Sequence, residues 1–188
     1  INPNPEDISS FSNFNEIIQK QVNIEVTLNF EKNQMIGTVE TKYEILSSDI
    51  KQIILDLKGP EITSIDYIIK DKNDEEEDDK VLPVEFSIDT EHKYKNSLGT
   101  PLTIDLEQLS QKYNDDYQKS LEEKTLIFRI GFVTGENSGG IQFLAKEQTT
   151  NKTYPFMFTQ CEAIQCRSLF PCQDSPSVKS IYKVKTSV

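Results

Sequence analysis

Val22-Asn23-Ile24-Glu25-Val26-Thr27-Leu28-Asn29-Phe30 alternates apolar and polar residues from end to end. Successive side chains of a strand point to opposite faces of its sheet, so the five apolar residues mark a buried face and the four polar ones a wet face. Glu31-Lys32-Asn33-Gln34 then supplies a turn, and a second alternation runs through Val39, Thr41, Tyr43 and Ile45. The two segments read as a long antiparallel hairpin, in which Gly37 marks a bulge or a close approach of backbone.

Further strands follow at short intervals. Ile53, Leu55 and Leu57 end at the turn signal Gly59-Pro60. Ile65, Tyr67 and Ile69 form another set, as do Val84, Phe86 and Ile88, then Leu102, Ile104 and Leu106. Leu126, Phe128, Ile130 and Phe132 alternate again, and Tyr182, Val184, Thr186 and Val188 are the last set. About eight strands with little helix predict a mainly β fold, an antiparallel β-sandwich or curved sheet stack. Leu109, Tyr113, Tyr117 and Leu121 recur every four residues, which predicts one inserted helix over about 107–123. The acidic run from Asp71 to Lys80 reads as a solvated loop, because its like charges repel and it has nothing to bury. It lacks the spaced ligands and turn glycine of a calcium loop.

At 188 residues the chain suffices for one large domain with an apolar core. A net charge of −11 argues against a nucleic-acid partner, which needs clustered Lys and Arg, and against an anionic membrane surface. No apolar run approaches a bilayer span, and no charged n-region precedes an apolar stretch. Cys161, Cys166 and Cys172 are odd in number and lack C-x2-C pairing. They read as free thiols of a reducing, cytoplasmic compartment rather than as a disulfide or zinc framework. Asn151-Lys152-Thr153 matches a glycosylation acceptor, a triplet that arises often by chance.

The irregular stretch between the strands at 126–132 and 182–188 carries the densest signal. Thr159-Gln160-Cys161-Glu162-Ala163, then Arg167, Pro171-Cys172, Asp174 and Pro176, resembles the pattern T/S-Q-x-E/Q-A-x-x-x-R-x-x-x-P-C-x-D-x-P of the leukotriene A4 hydrolase type of zinc aminopeptidase, a gluzincin metallopeptidase. Gly139-Gly140-Ile141-Gln142-Phe143-Leu144 and the opening hairpin extend the likeness over roughly 15–188, with the acidic run and the 107–123 helix as departures.

The resemblance implies a saddle-like N-terminal β-domain, residues 1–188, that forms one wall of a peptidase's substrate cleft. By position in the motif, Gln160, Glu162 and Ala163 match residues lining the site of the substrate's free α-amine. A carboxylate in a partly dry cleft selects a protonated amine by charge-assisted hydrogen bonding, and an amide oxygen on Gln160 accepts a further bond. Glu at 162, where the family allows Glu or Gln, favours peptide binding over a purely lipid substrate and leaves epoxide hydrolysis open. Arg167 and Asp174 are expected to be structural, pairing across the proline-containing turn.

Catalysis in that family requires zinc on an H-E-x-x-H helix. The chain has a single histidine, His92, read as a surface residue among charged neighbours, and no such motif. Zinc is therefore expected in a downstream catalytic domain and no catalytic or metal residue is expected here. That domain and the N-terminus of a peptide substrate are the expected partners. The alternative reading is a stand-alone β-sandwich binding or scaffold module without enzymatic activity.

Overall fold

A computed structural model describes residues 1–70, 79–135 and 138–188. The predicted hairpin consists of β1 (Ile17–Asn29) and β2 (Gln34–Ile45), joined by a turn in which the Asn29 side-chain oxygen accepts from the backbone N–H groups of Glu31 and Lys32. The chain continues through β3 (Gln52–Leu57), β4 (Glu61–Ile69), β5 (Lys80–Pro83), β6 (Phe86–Ile88) and β7 (Thr100–Asp105). Two helices follow, α1 (Leu106–Lys112) and α2 (Asn114–Glu122), and then β8 (Thr125–Val133). Last come β9 (Ile141–Leu144), β10 (Phe156–Thr159) and β11 (Ile181–Ser187).

The strands form a six-stranded sheet in the order β11-β1-β2-β8-β4-β5, a three-stranded sheet β3-β7-β6 and the small hairpin β9-β10. One continuous apolar core joins Val22, Ile24, Val39, Phe128 and Ile130 of the large sheet to Ile53, Leu55, Leu102 and Ile104 of the small one. The mainly β, antiparallel architecture is as expected, with one exception: β11 runs parallel to β1 at the edge of the large sheet. Most of the acidic run expected to be a solvated loop, 71–78, lies outside the described residues.

Of the two readings of Gly37, a bulge or a close approach, the second holds, and a bulge lies in β1. Register shifts in β1 between Gln19 and Gln21, and the buried positions change parity there, from Ile17 and Gln19 to Val22 and Ile24. An extra residue in one strand turns the following side chains to the other face, which keeps both halves of β1 facing the core.

The expected single helix is two. Its N-cap is Asp105, whose carboxylate accepts from the backbone N–H of Glu107 and Gln108. Tyr113 leaves helical geometry at φ −134°, ψ 45°, just before Asn114-Asp115-Asp116, residues that favour a helix start over a helix interior. The bonds from Tyr113 N to Leu109 O and from Tyr117 N to Tyr113 O carry the four-residue stripe across the break. Leu109 and Tyr117 are buried, and Tyr113 and Leu121 pack partly buried beside them.

A Cβ on Gly37 would lie 2.0 Å from the Glu25 carbonyl oxygen and 2.8 Å from the Val26 Cα, both backbone atoms of β1. Gly37→Ala is therefore expected to destabilise the fold by about 1–3 kcal/mol, as overpacking does. Urea unfolding checks this, and an unchanged midpoint would contradict the close approach.

Candidate functional site

The segment that carries the family motif begins at the end of β10 and folds over the free edge of β3. Two hydrogen bonds hold its start. Gln160 N donates to Gly140 O at 2.9 Å, and Gln165 N donates to Cys161 O at 2.8 Å, closing residues 161–165 into a compact turn. Ser168 ties this turn to the Gly139-Gly140 segment: its hydroxyl accepts from Gly140 N at 2.8 Å and donates to Gln165 O at 2.7 Å. A Cβ on Gly140 would lie 2.7 Å from Gln165 O and 2.8 Å from Ser168 Oγ, so the contact depends on glycine.

The loop changes character along its length. Gln160, Glu162 and Ala163 are exposed, whereas every residue from Arg167 to Ser175 is buried. The Glu162–Ala163 peptide bond is cis. The Gln160 and Glu162 side chains form no hydrogen bond or ion pair among the described residues. The structure thus brings the three residues expected to bind an amine together on one open turn, with two unengaged polar side chains.

Beneath them, Arg167 is fully buried, and its side chain makes four hydrogen bonds. Its Nε donates to Asp174 Oδ2 at 2.8 Å and Nη2 to Asp174 O at 2.9 Å. Nη1 reaches Ser9 O at 2.8 Å and Leu98 O at 2.9 Å. A second carboxylate lies close by: Asp56 Oδ2 is 3.7 Å from Nη2. Asp56 accepts from Phe11 N at 2.7 Å, Ser10 Oγ at 2.6 Å and Asp174 N at 3.0 Å. Burial pushes the Asp56 carboxyl up, opposed by the Arg167 guanidinium and by the bonds from Ser10, Phe11 and Asp174. The backbone joins in, with Asp56 N donating to Cys172 O at 2.8 Å and Lys58 N to Arg167 O at 2.8 Å.

Asp56 escaped the sequence reading. It is the polar member of the alternation Ile53, Leu55, Leu57, yet it is fully buried under the N-terminal segment and the motif loop. The available signal was Ile54, an apolar residue on the same face, also buried. Gln173 escaped as well; it exchanges hydrogen bonds with Gln19 beside the β1 bulge, at 2.8 and 3.1 Å.

His92 corrects a sequence expectation: it is buried, not a surface residue. Its ring packs edge-on to Phe11 at 4.7 Å between centroids, and Nε2 lies 2.6 Å from the Ile1 carbonyl oxygen. Both partners come from the first residues of the chain, far from His92 in sequence, so its charged neighbours gave no hint of them. Among the described residues no group of three or more His, Cys, Asp or Glu could hold a metal ion, so these residues do not fit a zinc site. No helix among them is long and apolar enough to cross a membrane.

Fold and motif together define the N-terminal domain of a metallopeptidase family. Residues 12–188 match the family of the peptidase M1 N-terminal domain, and the chain belongs to it. Among curated relatives it is similar to leucine aminopeptidase 2-2 of Scheffersomyces stipitis, 34% identical over 178 residues that cover 95% of this chain and 24% of the relative. It is likewise similar to leukotriene A-4 hydrolase of Xenopus laevis, 30% identical over 182 residues, covering 97% and 26%. The native yeast leukotriene A4 hydrolase structure superposes with a TM-score of 0.75 at 25% identity, over 96% of this chain and 24% of that one. The chain thus spans about a quarter of the length of the relatives it matches.

Removing one partner of a buried charge cluster leaves the others uncompensated, at a cost of about 3–5 kcal/mol. Arg167→Ala is expected to lose stability in that range, and Arg167→Lys to recover little of it, since an ammonium lacks the planar fork that serves Asp174, Ser9 and Leu98 together. Denaturant unfolding measures both. A loss below about 1 kcal/mol for the alanine variant, the scale of a surface pair, would contradict the role of the cluster.

Proposed function

We propose that this chain is the substrate-cleft domain of a zinc metallo-aminopeptidase, and that Gln160, Glu162 and Ala163 form the wall that receives the free α-amine of a peptide. The carrying observation is the contrast within one loop: an open turn with an unengaged carboxylate and amide stands on a base fixed by buried charge. Such a base keeps the turn's geometry the same in the presence and absence of ligand, so binding loses little to ordering. The Glu162 carboxylate offers a protonated amine a charge-assisted hydrogen bond, the Gln160 amide oxygen a second acceptor, and Ala163 a small side chain that lets the peptide approach. Arg167 and Asp174 act through the loop they hold rather than on the substrate.

Zinc and the water-activating residues belong to a downstream catalytic domain in this reading. When bound there, the metal would polarise the scissile carbonyl. The relatives' names as aminopeptidases and leukotriene A-4 hydrolases, and their fourfold greater length, support that organisation. Glu at 162 favours peptides as substrates.

A surface suited to such a domain lies beside the loop. Tyr154, Phe156 and Phe158 are exposed on and before β10, with Phe156 and Phe158 stacked at 6.2 Å, and Ile181 is exposed at the start of β11. Exposed apolar side chains in this number mark a protein contact. The isolated chain is therefore expected to self-associate in sedimentation as concentration rises, and a strictly monomeric chain would count against a covered face.

In the full-length protein, Glu162→Ala is expected to raise the KM for free-amine peptides at least tenfold, the loss of about one charge-assisted bond. Release of the N-terminal residue from N-acetylated peptides should be negligible with either form. An unchanged KM would remove Glu162 from the amine site. No N-terminal release by the unaltered full-length protein would favour a binding module without peptidase activity.

A further inference from the structure

Two of the three cysteines flank the exposed turn, and the amine-binding reading gives them no role. Cys161 and Cys166 are half-buried and line the same cavity, of about 290 Å³, together with Met157, Leu169, Tyr182 and Val184. The bond from Gln165 N to Cys161 O folds the intervening residues back on themselves and brings the two ends of the turn together. Cys172 is also free but fully enclosed, against the Asp56 backbone in the charge cluster.

We infer that Cys161 and Cys166 form a dithiol site that a low-molecular-weight disulfide converts to an intramolecular disulfide, closing the turn that holds Glu162 and Ala163. The neighbouring Cys166 draws the Cys161 thiol below its ordinary value, while Cys161 and burial push the Cys166 thiol up. Cys161 is therefore the attacking group and Cys166 the resolving one. Cys172 is pushed well up by burial and by the nearby Asp174 and Asp56 carboxylates, and stays out of the exchange.

With oxidised glutathione the steps balance. The Cys161 thiolate attacks one sulfur of the reagent, forming a mixed disulfide and expelling a glutathione thiolate. Cys166 loses its proton to solvent and attacks the Cys161 sulfur, expelling the second glutathione. Two protein thiols are oxidised to one disulfide, and one glutathione disulfide is reduced to two thiols. The inference does not depend on what Glu162 binds.

The sequence offers a direct readout. Trypsin cleavage after Lys152 and Arg167 places Cys161 and Cys166 in one peptide, Thr153–Arg167, and cleavage after Lys179 places Cys172 in the next, Ser168–Lys179. Native full-length protein is incubated with oxidised glutathione, quenched in acid, alkylated in denaturant and digested. The expected result is Thr153–Arg167 lighter by two hydrogens and unalkylated, with Ser168–Lys179 alkylated at Cys172. Cys166→Ser should instead accumulate one glutathione on Cys161. Three results would each overturn the inference: both thiols of Thr153–Arg167 alkylated, a lasting glutathione adduct on the unaltered protein, or a cross-link to Cys172. A Cys166→Ser variant that takes up no glutathione would overturn the attacking role of Cys161.

Discussion

The guanidinium of Arg167 is the point on which the fold and the site both depend. A buried charge is tolerated only where its hydrogen-bonding capacity is met by partners the fold holds in place. Here those partners come from four separate segments: the N-terminal residues through Ser9, β3 through Asp56, the loop before β7 through Leu98, and the motif loop through Asp174. None of the four can shift without exposing an unpaired group in a dry environment. Two carboxylates facing one guanidinium leave a surplus negative charge, and the N–H groups of Phe11 and Asp174 with the Ser10 hydroxyl compensate it.

This cluster explains why an irregular loop keeps one shape. Residues 167–180 have no strand pairing to fix them beyond the single bridge between Cys172 and Asp56. Side-chain bonds to Arg167, Asp174, Gln173 and Ser168 take its place, and they stop short of the Gln160-to-Ala163 turn. The turn is left presented to solvent with its polar side chains free, above an apolar cavity floored by β1 and β11. Rigid support beneath an unengaged carboxylate is the arrangement a recognition site requires, and the proposed amine-binding role rests on that division.

Much of the fold was legible in the sequence, because a half-buried strand must alternate. The hairpin of β1 and β2, and strands β3, β4, β7 and β8, all follow from that rule. What the pattern could not convey was long-range. The burial of Asp56 and His92 depends on the N-terminal segment lying across them, a contact with no local signature. The parallel pairing of β11 depends on where the motif loop returns the chain. The bulge at Lys20 escaped because the alternation on its far side, from Val22 onward, is undisturbed. The break at Tyr113 was hidden because hydrogen bonds on both sides keep the apolar stripe in register. The strands β9 and β10 are too short to alternate visibly. For the site, Gln160, Glu162 and Ala163 were named from resemblance alone; their exposure, and the absence of side-chain partners among the described residues, needed coordinates.

The most direct test of the account is a crystal structure of the full-length protein with a non-cleavable peptide analogue carrying a free N-terminal amine. The predicted result is the amine nitrogen within about 3 Å of the Glu162 carboxylate, with Gln160 Oε1 as a second acceptor and the turn in place above the Arg167 cluster. An analogue bound with its amine on other residues, or a turn rebuilt around Glu162 on binding, would contradict it.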